Sequence, residues 1–521
     1  MKYFLRKITL VFGIFVFFVA SCVSEFENEE TDAVVLPRES RPNIIFILAD
    51  DLDLKLGTID YMQNLQKLLV DRGTVLEDFF VTTPMCCPSR ANFLRGQYTH
   101  SHLLYNNDPP FGGFYQFHKT GAESSTVAVW LQSAGYRTAL IGKYLNGYPD
   151  REDRTYVPPG WTEWYSPAQK NAYDGYDYVL NENGELVVYP PNERYYFTDV
   201  MSGKAVDFIE RAARDDVSFF LYLPTFAPHA PATPARRHLD MFPSIQAPRT
   251  ASFNAEDLSG KPGNMIRNPL FTEEEIAGID RIYRQRILSM LAVDEMIADL
   301  IAALERTGQL DNTYIVFSSD QGYHLGQHRL YEGKSTLYEE DIAVPFLVRG
   351  PGIPEGEKIS GFLTGSVDVA PTFADWAGVN PPGFVEGRSL VGIISNKSIP
   401  ETDWRQGFLL EFYPFSINER SVNIPRVGRY LNWVFDLPFV PPQEILPQYK
   451  GIRTMQYTYV EHDDGFVELY DLSADPYQLE NLAFTADPAL LDWFSAWLHE
   501  YTSCKGTDCS RVDKGISDII P

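Results

Sequence analysis

The chain has 521 residues, a formal net charge of −26 and a pI near 4.7, and 44% of its residues are hydrophobic. That length suffices for one large core or two smaller ones, and the apolar content excludes a largely disordered chain. The acid excess excludes nucleic-acid binding and predicts a self-repelling surface, so any site for an anionic ligand must gather its cations locally.

The first residues read as a targeting segment. Lys2, Arg6 and Lys7 form a basic n-region, and Ile8 to Ala20 is an apolar stretch too short for a stop-transfer helix. It ends in Val19-Ala20-Ser21-Cys22, which resembles the lipobox of bacterial lipoproteins. The resemblance implies a signal over 1–22, a lipid anchor at Cys22 and a place in the bacterial cell envelope, at the periplasm or cell surface. Residues 23–40 read as a flexible acidic tether.

Asn43 to Ala49 is a continuous apolar run, as expected of a strand buried on both faces, and it ends in Asp50-Asp51. Ile59 to Arg72 has the period of an amphipathic helix, with Thr58 as N-cap and Gly73 as C-cap. Thr83 to Gly96 holds the adjacent cysteines Cys86 and Cys87, then Pro88-Ser89-Arg90 and a short helical run. A cysteine is most often a small buried apolar residue, and a helix N-terminus beside Arg90 is the setting that would make one reactive.

Thr126 to Gly135 reads as a helix and Arg137 to Ile141 as a strand running into Gly142-Lys143. The Tyr- and Pro-rich segment 147–196 reads as an insertion decorating one end of the core, with a hairpin around Asn183-Gly184. Thr198 opens a helix to Ala213, and the strand Ser218 to Thr225 leads to Ala227-Pro228-His229. A capping box at Thr272 to Glu275 starts a long helix to Glu305. Strands follow at Thr313 to Ser319, which runs into Asp320-Gln321, and at Val344 to Arg349. Past Ser395 the chain turns irregular, then gives strands at Ile452 to Glu461 and Val467 to Tyr470 and a helix at Ala489 to Tyr501.

Strands alternating with helices predict an α/β fold with a large, mostly parallel sheet over 41–395, and 396–521 reads as a smaller α+β domain with an antiparallel sheet. Ligands bind outside the carboxyl ends of such strands. Four of those ends carry chemistry: Asp50-Asp51, Lys143, His229 and Asp320-Gln321. Asp50, Asp51, Asp320 and the amide of Gln321 form an all-oxygen set suited to calcium or magnesium. Arg90, Lys143, His229, His324 and Lys334 form a cationic set for an anionic substrate. Cys504 and Cys509 can close a small disulfide in an exported protein.

These residues resemble the sulfatase family of the alkaline-phosphatase superfamily. The match runs through Cys86-Cys87-Pro88-Ser89-Arg90, Leu94-Arg95-Gly96, Gly142-Lys143-Tyr144-Leu145-Asn146, Ala227-Pro228-His229, Asp320 to Lys334, and Glu468 to Pro476. It is most similar to N-acetylglucosamine-6-sulfatases and heparan 6-O-endosulfatases. The resemblance implies that a maturation enzyme oxidises Cys86 to formylglycine, whose hydrate attacks the sulfur of a sulfated glycan and later expels sulfate. It implies one calcium ion, with magnesium less suited, held by Asp50, Asp51, Asp320, Gln321 and the nucleophile at position 86. Arg90 would fix formylglycine, Lys143, His229 and Lys334 would bind sulfate, and His324 or His229 would protonate the leaving alcohol. Gln321 stands where many members have Asn, and Leu145 stands where arylsulfatases have a histidine, with Asn146 beside it. A phosphomonoester or phosphonate hydrolase on the same fold is the alternative enzyme, and a glycan-binding protein with a decayed site the alternative without catalysis.

Overall fold

The computed structural model describes residues 41–149, 153–169, 172–395, 399–414 and 447–515. The signal, anchor and tether expected over 1–40 lie outside these residues, as does much of the irregular stretch past Ser395.

Sixteen strands are described. Those of the large sheet are β1 (Asn43–Ala49), β2 (Thr74–Leu76), β4 (Arg137–Ile141), β5 (Glu163–Gln169), β6 (Tyr178–Glu182), β7 (Glu185–Tyr189), β8 (Phe219–Pro224), β9 (Thr313–Ser319), β10 (Phe346–Arg349) and β11 (Glu357–Ile359). Their order is β11-β2-β10-β9-β1-β8-β4-β5-β6-β7. A two-stranded sheet joins β3 (Phe79–Phe80) to β12 (Thr364–Gly365). A four-stranded antiparallel sheet contains β13 (Phe408–Phe412), β14 (Tyr449–Arg453), β15 (Tyr457–His462) and β16 (Val467–Asp471). The expected α/β class and the second, antiparallel sheet are both present.

β1 is central because every one of its side chains can be buried. Ile44, Phe46 and Leu48 enter the core on one face, and Ile45, Ile47 and Ala49 enter the core on the other. Phe46 stacks on Tyr222 and meets Phe93 and Phe373, so Phe46→Ala would cost ~3–5 kcal/mol. The long helix Glu273–Arg306 begins with the predicted capping box, Thr272 accepting from the Glu275 N–H, and covers the second face.

Several elements differ from the sequence reading. The segment 147–196 does not merely decorate the core: β5 pairs in parallel with β4, and β6 and β7 extend the sheet edge. Pro167 hides β5 from a propensity reading, and a register shift between Pro167 and Gln169 accommodates it. β10 runs antiparallel to β9, because the chain between them returns from the same sheet end with only a single turn of helix, Glu339–Ile342. The helix expected over Ile59–Arg72 is broken. Its first part is a 3-10 turn, Thr58–Tyr61, and a new helix starts at Gln63, where the Asp294 carboxylate accepts from the N–H groups of Asn64 and Leu65. Thr58 is held by Asp53 instead of capping, and Gly73 is no C-cap. A Cβ on Gly73 would lie 2.3 Å from the Val348 carbonyl, so the glycine lets β10 approach. The single strand expected over Ile452–Glu461 is two, joined by a turn in which Thr454 Oγ1 accepts from the Tyr457 N–H.

The small sheet helps place the Cys86 segment. β13 abuts the chain just before it, with Glu411 N–H donating to the Thr82 carbonyl and Thr82 Oγ1 donating to the Leu409 carbonyl. Met85 is buried in the same cluster as Phe408, Leu410 and Trp497. Cys504 and Cys509 form a disulfide, and Cys86 and Cys87 are free and buried.

Candidate active site

The four chemistry-bearing strand ends are neighbours. β9, β1, β8 and β4 lie side by side and parallel, so Asp320, Asp50, the loop bearing His229, and Lys143 all emerge at one edge. Backbone bonds lock that edge: Asp320 N–H donates to the Ala49 carbonyl, Asp50 N–H to Ala227 and Lys143 N–H to Pro224. Gly142 is required there. Its φ is +136° and a Cβ would lie 2.0 Å from the Pro224 carbonyl, so only glycine lets the chain turn Lys143 toward the site.

The helix Cys86–Arg95 delivers its first residue to this edge, with Met85 extended before it. Around Cys86 Sγ stand Lys334 Nζ at 3.0 Å, Gln321 Nε2 at 3.4 Å and Asp50 Oδ1 at 3.6 Å. Arg90, one turn on, donates through Nε to Asp320 Oδ2 at 2.8 Å and through Nη1 to the Lys143 carbonyl at 3.1 Å, and Nη2 lies 3.6 Å from Asp50 Oδ1. Lys143 Nζ is 2.5 Å from Asp50 Oδ2 and sits 5.1 Å from the Tyr173 ring centre. Asp51 accepts from Lys334 and from Gln321 Nε2, and His229 Nε2 lies 3.6 Å from its other oxygen.

The electrostatics follow from burial opposed by these contacts. Burial raises the Asp50 carboxyl, but Lys143, His229, Arg90 and Lys334 outweigh it and hold the group well below the usual range. Asp51 is lowered likewise, burial being overcome chiefly by Lys334. Burial lifts Asp320 to about 7 against the pull of Arg90. Burial also pushes both thiols up, Cys87 to about 12, and pulls His229 down despite Asp51 and Asp50.

The structure thus brings together Cys86, Arg90, Lys143, His229, Lys334, Asp50, Asp51, Asp320 and Gln321. His324 stands apart. Its Nδ1 is 3.0 Å from both oxygens of Asp341, its Nε2 is buried without a partner, and no described hydrogen bond joins it to Cys86. Three contacts escaped the sequence reading. Asn107 Oδ1 accepts from the Cys87 N–H at 2.9 Å, Asn146 N–H donates to Cys87 Sγ at 3.1 Å, and Asp341 orients His324. Asn146 stands in a matched motif that says nothing of Cys87, and Asn107 lies in an Asn-Asn-Asp-Pro turn that reads as ordinary loop. A cleft of about 170 Å³ opens beside Lys143 and is lined by Asn146, Tyr148, Ser166, Gln169 and Tyr173.

The residues fit a hard cation. Donor atoms of Asp50, Asp51, Cys86 and His229 all lie within 4.8 Å of one another. Gln321 Oε1 is buried with no hydrogen-bond partner beside them, and rotation of that amide would present oxygen where nitrogen now faces Asp51. An oxygen-rich set of this kind suits calcium or magnesium. The three buried carboxylates are matched by Arg90, Lys143 and Lys334, so a divalent ion would leave the site positive and receptive to an anion.

A potential nucleophile at a helix start, ringed by carboxylates and cations at the carboxyl edge of a mostly parallel sheet, defines a hydrolase of anionic esters. The sulfatase family profile matches residues 42–379, and the chain belongs to that family. It is accordingly a sulfuric ester hydrolase. It is 34% identical to human N-acetylglucosamine-6-sulfatase over 90% of this chain and 86% of that protein. It is 38% identical to the extracellular sulfatase Sulf-1 homologue of Caenorhabditis elegans over 72% of this chain, but spans only about half (53%) of that longer relative. The structure is similar, with a TM-score of 0.71 and 25% identity, to one solved in complex with its substrate D-glucosamine-2-N,6-O-disulfate, covering 92% of this chain and 100% of that one.

Proposed function

We propose that this sulfatase removes sulfate from a sulfated carbohydrate, with a 6-O-sulfated hexosamine as its substrate class, using a nucleophile made from Cys86. The observation that carries the reading is the setting of Cys86 Sγ, with Lys334, Gln321 and Asp50 within 3.0–3.6 Å at the start of a helix. The names of the relatives and the doubly sulfated glucosamine that is the structural neighbour's substrate support the sugar. The neutral amides and tyrosines of the adjacent cleft offer hydrogen bonds and a ring face suited to a hexose.

Conversion of Cys86 to formylglycine by a maturation enzyme would supply a geminal diol in place of a thiol. Calcium held by Asp50, Asp51, Asp320, Gln321 and the position-86 oxygen would supply Lewis acidity and lower the cost of an anionic nucleophile. The chain's own residues do the rest. Arg90 fixes the helix start against Asp320, Lys143 and Lys334 neutralise the sulfate oxygens, and the buried setting keeps these charges strong. His229 belongs to the same group of donor atoms as Cys86, its Nδ1 faces the Ala230 carbonyl, and in the protonated form that a bound sulfate anion favours its Nε2 protonates the departing alcohol. His324, held by Asp341, has no described hydrogen bond to the nucleophile and is given no step. Export with a lipid anchor at Cys22 is part of the same proposal. Among the described residues no helix is long and apolar enough to cross a membrane.

Mass spectrometry of the peptide spanning Cys86, from protein made in its native host, tests the nucleophile, and the expected product is an aldehyde or its hydrate. An unmodified thiol in fully active protein, with Cys86→Ala retaining hydrolysis, would sink the mechanism. For the substrate, sulfate release from 6-O-sulfated N-acetylglucosamine is expected to exceed release from an aryl sulfate or a phosphate monoester. Hydrolysis of the aryl ester alone would remove the sugar assignment.

A further inference from the structure

Arg286 lies within the long helix, is 1% exposed, has no described hydrogen bond to Cys86 and does not line the cleft beside Lys143. Its guanidinium nevertheless meets three of the loops that build the site. Nη2 donates to the Asp51 carbonyl at 2.6 Å and to Asp53 Oδ1 at 2.7 Å, in the loop after β1. Nη1 donates to the Pro228 carbonyl at 3.4 Å, immediately before His229. The plane lies 3.9 Å over the ring centre of Tyr323, in the loop after β9 and next to His324.

The contact with Asp51 is the telling one. Asp51 has φ +66°, a left-handed conformation that costs a residue with a Cβ about 1–2 kcal/mol and persists only where its surroundings impose it. Here they do so from both sides. Arg286 grips the Asp51 carbonyl, Ser319 Oγ accepts from the Leu52 N–H at 2.8 Å, and Asp320 Oδ1 accepts from the Asp51 N–H at 3.0 Å. The peptide after Asp51 is thereby held at both its polar atoms, and its carboxylate is aimed at Lys334, Gln321 and His229.

We propose that Arg286 is a positioning residue for the catalytic centre, one guanidinium that sets the Asp51 peptide and the Pro228–His229 turn in register from beneath. The inference rests on the sulfatase reading of the site, and in its metal-affinity part on Asp51 being a cation ligand. Lysine cannot replace it: an ammonium has no planar fork to reach the Asp51 carbonyl, the Asp53 carboxylate and the Pro228 carbonyl together, nor a face to stack on Tyr323. Simple stability would not demand an arginine either, since a buried ion pair such as Arg286–Asp53 is often replaceable by packed apolar groups.

The test uses Arg286→Lys and the paired substitution Arg286→Met with Asp53→Asn, which leaves neither buried charge alone and keeps an acceptor for Thr58. Thermal unfolding, the calcium concentration that half-stabilises metal-stripped protein, kcat and KM are measured for each. Both variants are expected to fold, to need about 10–100-fold more calcium and to lose kcat by a similar factor, with KM for the sugar sulfate nearly unchanged. Wild-type calcium response and kcat in a folded variant overturn the proposal. So does a poorly folded Arg286→Lys whose defects in stability and kcat are both cured by the paired substitution, because the arginine would then be structural only. If wild-type protein itself ignores calcium, the metal assignment fails, and the kcat of the two variants still decides the role of Arg286.

Discussion

Replacing Arg90 with methionine removes one buried group from three partners at once. Asp320 Oδ2 loses its donor at 2.8 Å, the Lys143 carbonyl loses one at 3.1 Å, and Asp50 loses a cation at 3.6 Å. Asp50 keeps Lys143, but Asp320 retains only the Asp51 N–H on its other oxygen. Breaking a buried ion pair from one side costs up to ~3–5 kcal/mol while the abandoned charge stays ionised, and uptake of a proton by Asp320, which burial already lifts to about 7, trims that cost near neutral pH. At ~2.1 cal/mol/K of unfolding entropy per residue, a folded unit of this size converts that to a Tm lower by up to about 3–5 °C. Activity should fall further than stability implies, by ~10²–10³, since the helix start bearing the nucleophile is anchored through the same guanidinium. Arg90→Lys separates the two effects: it keeps the charge near Asp320, so most of the Tm returns, but it cannot reach Asp320 and the Lys143 carbonyl together, so kcat stays low. Calcium should restore part of the Tm of Arg90→Met by giving Asp320 a new counter-charge. The assays are thermal unfolding with and without calcium, and initial rates on a sugar sulfate. An Arg90→Met protein that melts at the wild-type temperature and turns over at the wild-type rate would refute the electrostatic account of the site.

Other substitutions probe separate links. His229→Asn should cost ~10²–10⁴ in rate on a sugar sulfate and far less on an aryl sulfate, whose phenolate leaves without a proton; equal losses on both would show that His229 is not the acid. Burial lowers the Lys261 ammonium from 10.5 to about 8, against Glu468, Asp475 and Glu340. The unfolded chain therefore binds more protons than the folded one between about pH 8 and 10.5, and stability should rise with pH across that window by up to ~3 kcal/mol. Lys261→Met should flatten this rise in thermal unfolding, and an unchanged slope would count against it. Opening the Cys504–Cys509 disulfide as the double serine variant frees a short loop, so it should cost ~2 kcal/mol in unfolding free energy and leave kcat unchanged.

What was legible in the chain depended on whether a segment's structure is decided locally. Arg137–Ile141 and Thr313–Ser319 coincide with their predicted bounds, and Asn43–Ala49 does as well, because continuous apolar runs bounded by Asp or Gly admit little else. β5 was missed because Pro167 argues against a strand, and only pairing with β4 and a shifted register make one there. The Ile59–Arg72 period was real, since Leu65 and Leu69 are buried. Its continuity was not, because Asp294, more than two hundred residues away, caps a second start at Gln63.

The site divides the same way. Asp50, Asp51, Lys143 and Asp320 follow apolar strands directly, so their place at one sheet edge can be inferred once the strands are parallel and adjacent. Cys86 gains meaning from the Pro88-Ser89-Arg90 context and from a helix that begins on it. Arg286 offers no such handle. It follows Arg281 and Arg284 in one helical stretch but shares its phase with the buried Ile279, Tyr283 and Met290, a phase that implies burial without saying what the guanidinium holds. Arg284 reaches out to the Met241 carbonyl at the surface, and Arg281 is exposed. What distinguishes Arg286 is the helical phase that turns it inward, together with the loops after three different strands that happen to end above it. Groups that do the chemistry are constrained by type and leave a motif, whereas groups that hold them in place are constrained by position and become visible only when the fold is known.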